Sequence, residues 1–184
     1  MTKTLALPPV LAPLVERLER LDRRARVNEL EGWLHEFQIT AKDVSLFVRF
    51  GEKNYLRNLV CAGEWFHLLV ICWRSGQRSP IHNHAGSTCG VRVLRGTATE
   101  TRFEFTASGL IRPTISHDMH EGEVVVSQDA EIHQISNLQA RGEDLITLHI
   151  YSPPLVRMDS YSLTETAIQE YRPITHEFSM GDGI

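Results

Sequence analysis

The sequence predicts a mainly β protein, a small sandwich or barrel with an α-helical layer packed on its outside. Three observations predict it. Short β-rich runs recur from residue 55 to residue 152. Gly, Ser, Asn and Asp punctuate them at intervals of roughly ten residues, the signal of an all-β sandwich or barrel. The fifty residues before them carry a helical period instead.

The elements follow in order. Leu11, Leu14, Val15, Leu18 and Leu21 recur at i, i+3, i+4 and i+7 spacing and predict a first amphipathic helix. Leu30, Trp33, Leu34 and Phe37 repeat that spacing after Asn28, a good N-cap with Glu31 three residues on. "TAKD" at 40–43 is expected to cap a third helix through Val44, Phe47 and Val48. "YLRNLV", "FHLLVICW", "CGVRVLRG", "TATETRFEF", "LIRPTI", "EVVVS", "EIHQIS" and "DLITLHIYS" then predict strands. The tail after Pro153-Pro154 reads as polar and irregular. One domain over residues 1–184 is expected, with a helical layer at 1–50, a β-barrel at 51–155 and a C-terminal extension at 156–184.

Composition narrows the function classes. Hydrophobic residues at 42% and charged residues at 23% are ordinary for a soluble globular chain. A net charge of −4 with no basic run gives no footprint for nucleic acid or an anionic membrane. Three widely spaced cysteines, Cys61, Cys72 and Cys89, are no disulfide framework and point to a reducing compartment. Pro8, Pro9 and Pro13 break the apolar start, and a charged helix follows, so a signal peptide is not expected. A cytoplasmic monomer is the resulting expectation.

The chemistry concentrates around "SPIHNHAGSTCG", residues 79–90. On a strand, residues i and i+2 share a face, so an extended "IHNH" would converge His82 and His84. Imidazole is the commonest ligand for first-row metals. Cys89 lies an odd number of residues from His84, so a continuous strand would turn it outward. "AGS" at 85–87 must bend for its thiol to face inward. In "TLHIY", Thr147, His149 and Tyr151 share one face while Ile146, Leu148 and Ile150 share the other. One side can pack apolar while the other lines a polar cavity with a short hydrogen-bond chain. His35, His67, His117, His120 and His176 have no assigned role, and "SHDMHEG" reads as a solvent loop.

The spacing around the histidines resembles the two motifs of the cupin superfamily. Gly76, His82, His84 and Gly96 match the first, with Cys89 where the usual Glu stands. Gly122, Gln128, Ala130, His133 and Asn137 stand at the positions of the second, without its Pro and second Gly. Four further segments, "YLRNL", "STCG", "EIHQISN" and "LHIYSPP", are similar to the thiol dioxygenases, and within them to the cysteine dioxygenases, over about residues 50–155.

That resemblance implies a small antiparallel barrel with Fe(II) on His82, His84 and His133, and L-cysteine and O2 as substrates. It implies Arg57 and Tyr55 on the substrate carboxylate, His149 orienting Tyr151, and Cys89 with Tyr151 as a thioether-forming pair. Three neutral imidazoles leave a dication uncompensated by protein, which favours a thiolate from the substrate. Asn83 departs from the Asp more often found between the first two histidines. A dioxygenase for another small thiol such as 3-mercaptopropionate, or a cupin that binds metal without turnover, are the alternatives.

Overall fold

The structure, a computed structural model, describes residues 7–128 and 131–177. A 3-10 turn at Pro9–Leu11 leads into α1 (Ala12–Glu19) and then α2 (Val27–Glu36). The strands follow: β1 (Leu56–Gly63), β2 (Phe66–Trp73), β3 (Ile81–His82), β4 (Thr88–Arg95), β5 (Thr97–Phe105), β6 (Ile111–His120), β7 (Val124–Gln128), β8 (Ile132–Ser136), β9 (Leu145–Ser152), β10 (Met158–Tyr161), β11 (Gln169–Tyr171) and β12 (Thr175–His176). They form two six-stranded sheets, ordered β12-β1-β2-β9-β4-β7 and β11-β10-β3-β8-β5-β6. Every pairing is antiparallel except that of β12 with β1. Among the described residues no helix is long and apolar enough to cross a membrane.

The central strands β2 and β9 are buried on both faces, which is why they read as near-continuous apolar runs. Leu68, Val70, Cys72, Ile146, Leu148 and Ile150 pack against the helical layer. Leu69, Ile71, Trp73, Leu145 and Tyr151 face the interior between the sheets. The helices supply Leu14, Leu18, Leu30 and Leu34, all with no exposed surface. Truncating any one to Ala would cost about 2–5 kcal/mol. The exposed Arg17–Glu36 fork joining α1 to α2 contributes at most about 1 kcal/mol. Packing therefore holds the helical layer in place.

Four expectations are corrected. The cap of α2 is Arg26 rather than Asn28. Glu29, not Glu31, accepts its backbone N–H at 2.7 Å, and the Arg23 guanidinium forks onto the same carboxylate. The third helix does not form. Asp43 accepts the backbone N–H and hydroxyl of Thr40, but only a 3-10 turn at Ser45–Phe47 follows. Val44 and Phe47 are already buried there, and the chain leaves extended at Val48 toward β1. The tail is not irregular, because β10 and β11 extend one sheet and β12 the other. The "SHDMHEG" segment is largely strand, with His117 and His120 on β6, paired with Glu100 and Thr97 of β5.

The glycines of the first motif mark turns. Gly96 has φ +83°, and a Cβ there would stand 2.8 Å from the Asp144 carbonyl oxygen and from Gln139 Nε2, so only glycine fits between β4 and β5. Ala130 of the second motif lies outside the described residues.

Gly90 sets how closely α2 approaches β4. A Cβ at that position would meet Leu34 Cδ1 at 2.8 Å and Leu30 Cβ at 3.3 Å. Gly90→Val should lower unfolding stability by about 1–3 kcal/mol through overpacking, read as a shifted urea midpoint with an unchanged slope.

Candidate metal centre

His82 ends β3, directly opposite His133 of β8. His84 stands just beyond the strand, at the start of a turn. Ala85 and Gly86 have φ 45° and 90°, and Ser87 donates its N–H to the His84 carbonyl at 2.9 Å, the positive-φ pattern of a type I′ turn. The three imidazoles are 5, 1 and 4% exposed. One nitrogen from each lies within 4.8 Å of the others, so they could hold a metal ion. His84 Nε2 and His133 Nε2 are 3.1 Å apart. Metal–nitrogen bonds of about 2.1 Å would place adjacent ligands about 3 Å apart.

The remaining ring nitrogens are occupied by protein. His82 Nδ1 lies 2.9 Å from the Pro80 carbonyl and can only donate to it, which leaves Nε2 as a lone pair facing inward. His84 Nδ1 lies 3.3 Å from Ser127 Oγ. His133 Nδ1 lies 2.7 Å from Glu100 Oε1. Burial, and then the neighbouring His133, hold His82 and His84 well below the usual imidazole range. Neutral imidazole is the form that ligates. Glu100 is itself 2% exposed. Burial pushes its carboxyl up, but His133 and Arg102 outweigh this and bring it to about 2.

All eight residues singled out in the sequence line one cavity: Tyr55, Arg57, His82, His84, Cys89, His133, His149 and Tyr151. It is narrow, about 20 Å³, with apolar walls from Ile71, Val91, Ile135 and Met158. A groove of about 510 Å³ adjoins it through Tyr55 and Arg57, which belong to both walls. Arg57 is 3% exposed. Its Nη2 donates to the Leu155 carbonyl at 3.3 Å, and its guanidinium carbon lies 5.2 Å from the Tyr151 ring centroid. Its Nε has no hydrogen-bond partner among the described residues. Tyr55 stacks on Trp73 at 4.2 Å, and burial pushes its phenol up to about 12.

The polar face of β9 forms a chain. Tyr151 Oη lies 3.2 Å from His149 Nδ1, and His149 Nε2 lies 2.9 Å from Thr147 Oγ1. Trp73 Nε1–H donates to the same oxygen at 3.0 Å, and Thr147 donates to the Ile71 carbonyl at 3.4 Å. One assignment satisfies every group: His149 carries its proton on Nε2, and Tyr151 donates to Nδ1. Burial, and then Arg57, keep His149 neutral by lowering its pKa. Cys89 sits directly opposite Tyr151 on the neighbouring strand, and its thiol lies against the phenol. Burial pushes that thiol up to about 12, against the pull of Tyr151 and Arg57. The turn at Ala85–Gly86 supplies the change of direction that a continuous strand could not.

A model of the family described as cysteine dioxygenase type I matches residues 1–164. The chain belongs to that family. The cysteine dioxygenase type 1 of Rattus norvegicus is 30% identical over 154 residues, covering 80% of this chain and 76% of the relative. Those of Danio rerio and Homo sapiens are 29% and 28% identical over the same length and coverage. Among solved structures, a conserved Klebsiella pneumoniae protein with a double-stranded β-helix domain aligns at TM-score 0.54 and 17% identity. It covers 64% of this chain and 88% of that one. A Thermus thermophilus protein aligns at TM-score 0.51 and 17% identity, covering 63% and 97%. These two likenesses speak for the fold, the cupin-type barrel of two β-sheets. Family membership indicates a dioxygenase, and the three histidines could hold a metal ion.

Four contributors were missed in the sequence. Glu100, Ser127, Trp73 and Asp159 reach the site only through strand pairing; the first three read locally as ordinary strand residues, and Asp159 lies in the tail that read as irregular. Asp159 accounts for Asn83 standing where the resemblance leads one to expect Asp. Asn83 Nδ2 donates to Asp159 Oδ2 at 2.9 Å and to Tyr161 Oη at 3.0 Å, while its Oδ1 accepts the Asp159 backbone N–H. An aspartate at 83 would set two carboxylates against each other. Asn83→Asp should therefore lower thermal stability by about 1 kcal/mol, since the pair is half-buried. Adding Asp159→Asn should restore most of the loss. Melting curves of the two single variants and the double variant check this, and additive losses would contradict it.

Proposed function

We propose that this member of the cysteine dioxygenase family is Fe(II)-dependent and converts L-cysteine and O2 into cysteine sulfinate. The observation that carries the reading is Arg57, a buried guanidinium with an unpartnered Nε on the wall of the cavity that holds the three histidines. A buried donor without an acceptor costs about 1–3 kcal/mol. A substrate carboxylate would satisfy it, and the planar fork suits a bidentate contact. Arg57 also borders the outer groove, so an entering carboxylate meets it on the way in.

The geometry supports the following roles. His82, His84 and His133 would hold the iron, which when bound supplies O2 activation and an acidified substrate thiol. Arg57 and Tyr55 hold the carboxylate and thereby aim the sulfur at the histidines. His149 fixes the Tyr151 phenol over the cavity, and burial keeps the Oη proton in place. Ile71, Val91, Ile135 and Met158 exclude water. Both atoms of O2 end on the sulfur, so no external reductant is needed. The free thiols Cys61, Cys72 and Cys89 fit a reducing compartment, the cytoplasm.

Cys89 and Tyr151 would form a thioether under the same conditions, each losing one hydrogen with O2 as the acceptor. Directly opposed residues on antiparallel strands have Cβ atoms about 4.5–5.5 Å apart, which a sulfur–ring-carbon bond can bridge.

Oxygen uptake with L-cysteine, with stoichiometric cysteine sulfinate, tests the reaction. A chain that binds iron but consumes no O2 with any small thiol would favour the non-catalytic alternative. Faster uptake with 3-mercaptopropionate than with cysteine would overturn the substrate. Arg57→Ala should lose about ten- to a hundredfold in kcat/KM for cysteine, the loss of a charge-assisted contact. It should lose much less for cysteamine, which has no carboxylate. Equal losses would assign Arg57 to folding. His133→Ala should lose both iron and turnover.

The cross-link has its own readout. After turnover in air, the intact chain should show a species lighter by two hydrogens, absent in Cys89→Gly. Fully active enzyme with an unmodified Cys89 thiol would remove the cross-link and leave the dioxygenase reading standing.

A further inference from the structure

Among the three histidines, the partners of the outward-facing nitrogens differ in kind. His82 has a backbone carbonyl, His84 a serine hydroxyl, and His133 a carboxylate. A neutral acceptor would fix the tautomer of His133 equally well. Burying a carboxylate is costly unless it is paired, and Glu100 is only 2% exposed. The fold nevertheless places it there and brackets its second oxygen. Arg102 Nε lies 3.1 Å from Oε2 and His117 Nε2 3.4 Å from it. Strand register enforces this. Arg102 stands opposite His133 across the β5–β8 pair, and Glu100 stands opposite His117 across the β5–β6 pair. Arg102 is partly exposed and shared with Glu131 through its Nη1 at 3.1 Å, so it neutralises Glu100 incompletely.

We propose that Glu100 is a positioning and charge-supplying residue of the metal centre, delivering through His133 the negative charge that a three-histidine set lacks. The proposal deepens the metal-site reading and rests on it. The metal would sit one imidazole ring away from Glu100, close enough for a unit charge to act through a dry interior. Hydrogen-bonding the far nitrogen to a carboxylate also makes imidazole a stronger donor. Glu100 therefore moves protein charge from the ligand shell, where Cys89 has taken the usual glutamate's place, to a position behind a ligand. The metal is stabilised while no coordination position is occupied by a carboxylate.

The test is metal affinity, measured by titrating the purified apo-protein with Co(II) and with Fe(II) under anaerobic conditions. Glu100→Gln keeps an acceptor for His133 Nδ1–H and removes the charge. It should weaken binding about 10- to 100-fold and raise the Fe(III)/Fe(II) potential. Ser127→Ala, which removes the neutral partner of His84, should weaken binding much less. Arg102→Gln carries the opposite sign: stripping the cation leaves Glu100 more negative, so Co(II) should bind severalfold tighter. A merely structural Glu100–Arg102 pair would weaken binding in that variant too. Glu100→Gln binding within threefold of wild type, with an unshifted potential, would overturn the proposal and leave the metal site intact. If Glu100→Gln does not fold, the sign of the Arg102→Gln effect decides alone. Wild-type chain and His133→Ala binding metal equally poorly would instead remove the metal-site reading itself.

Discussion

The two-sidedness of β9 is the constraint on which the rest of the molecule depends. Its eight residues are all buried, yet the two faces meet different environments. Ile146, Leu148 and Ile150 go into the helix-covered core, while Thr147, His149 and Tyr151 take the other face, where His149 and Tyr151 line the cavity. A lone antiparallel sheet would put one face in water. Here α1 and α2 cover the apolar side, so the other side can hold imidazole, hydroxyl and phenol groups in a dry interior. Thr88 and Ser152 pin the segment joining the helices to the barrel: Thr88 donates to the Ala25 carbonyl at 2.7 Å, and Ala25 donates its N–H to Ser152 at 2.9 Å. The helical layer is thereby registered against the strands that carry Cys89 and Tyr151.

A dry polar interior is stable only when its groups are hydrogen-bonded. The chain meets that condition asymmetrically. Each imidazole of the triad has one nitrogen beside protein, which orients the ring and directs the other nitrogen inward. The Tyr151–His149–Thr147–Trp73 chain is satisfied throughout by a single arrangement of protons. At the cavity, among the described residues, Arg57 Nε has no partner, and the inward nitrogens of the three histidines have no partner but one another. A thiol that carries a carboxylate, held beside a cation, would complete both.

The C-terminal strands serve the site as well as the sheets. β10 pairs with β3 and fastens the His82–His84 loop through Asn83 and Asp159. β12 pairs with β1 at Arg57 and Asn58, and Tyr171 of β11 lines the outer groove. The family match ends at residue 164, so β11 and β12 lie beyond it while bordering the approach to Arg57.

Patterns carried within a few residues were legible in the sequence. β2 and β5 begin and end where the runs "FHLLVICW" and "TATETRFEF" do, because alternation and β-branched residues are local properties. Eight of the residues that line the cavity were named from the sequence, the triad histidines by motif spacing and Tyr55, Arg57, Cys89, His149 and Tyr151 through the family resemblance. The extra strands at the C-terminus were not, since short edge strands such as Gln169–Tyr171 are half exposed and carry no apolar period of their own. The third helix failed for a related reason: a capping pair at Thr40 and Asp43 marks a turn, while burial of Phe47 against the core decides that the turn stops. The sequence by itself pointed to the residues that could bind a metal, although His84 stands beyond the strand rather than on a shared face with His82. Only the tertiary structure decided what stands behind them: a carbonyl at His82, a hydroxyl at His84 and the Glu100 carboxylate at His133. The Pro80 carbonyl lies only two residues before His82, but Ser127 and Glu100 come from strands far from His84 and His133 in the chain, and those contacts follow from pairing register, which no local pattern encodes.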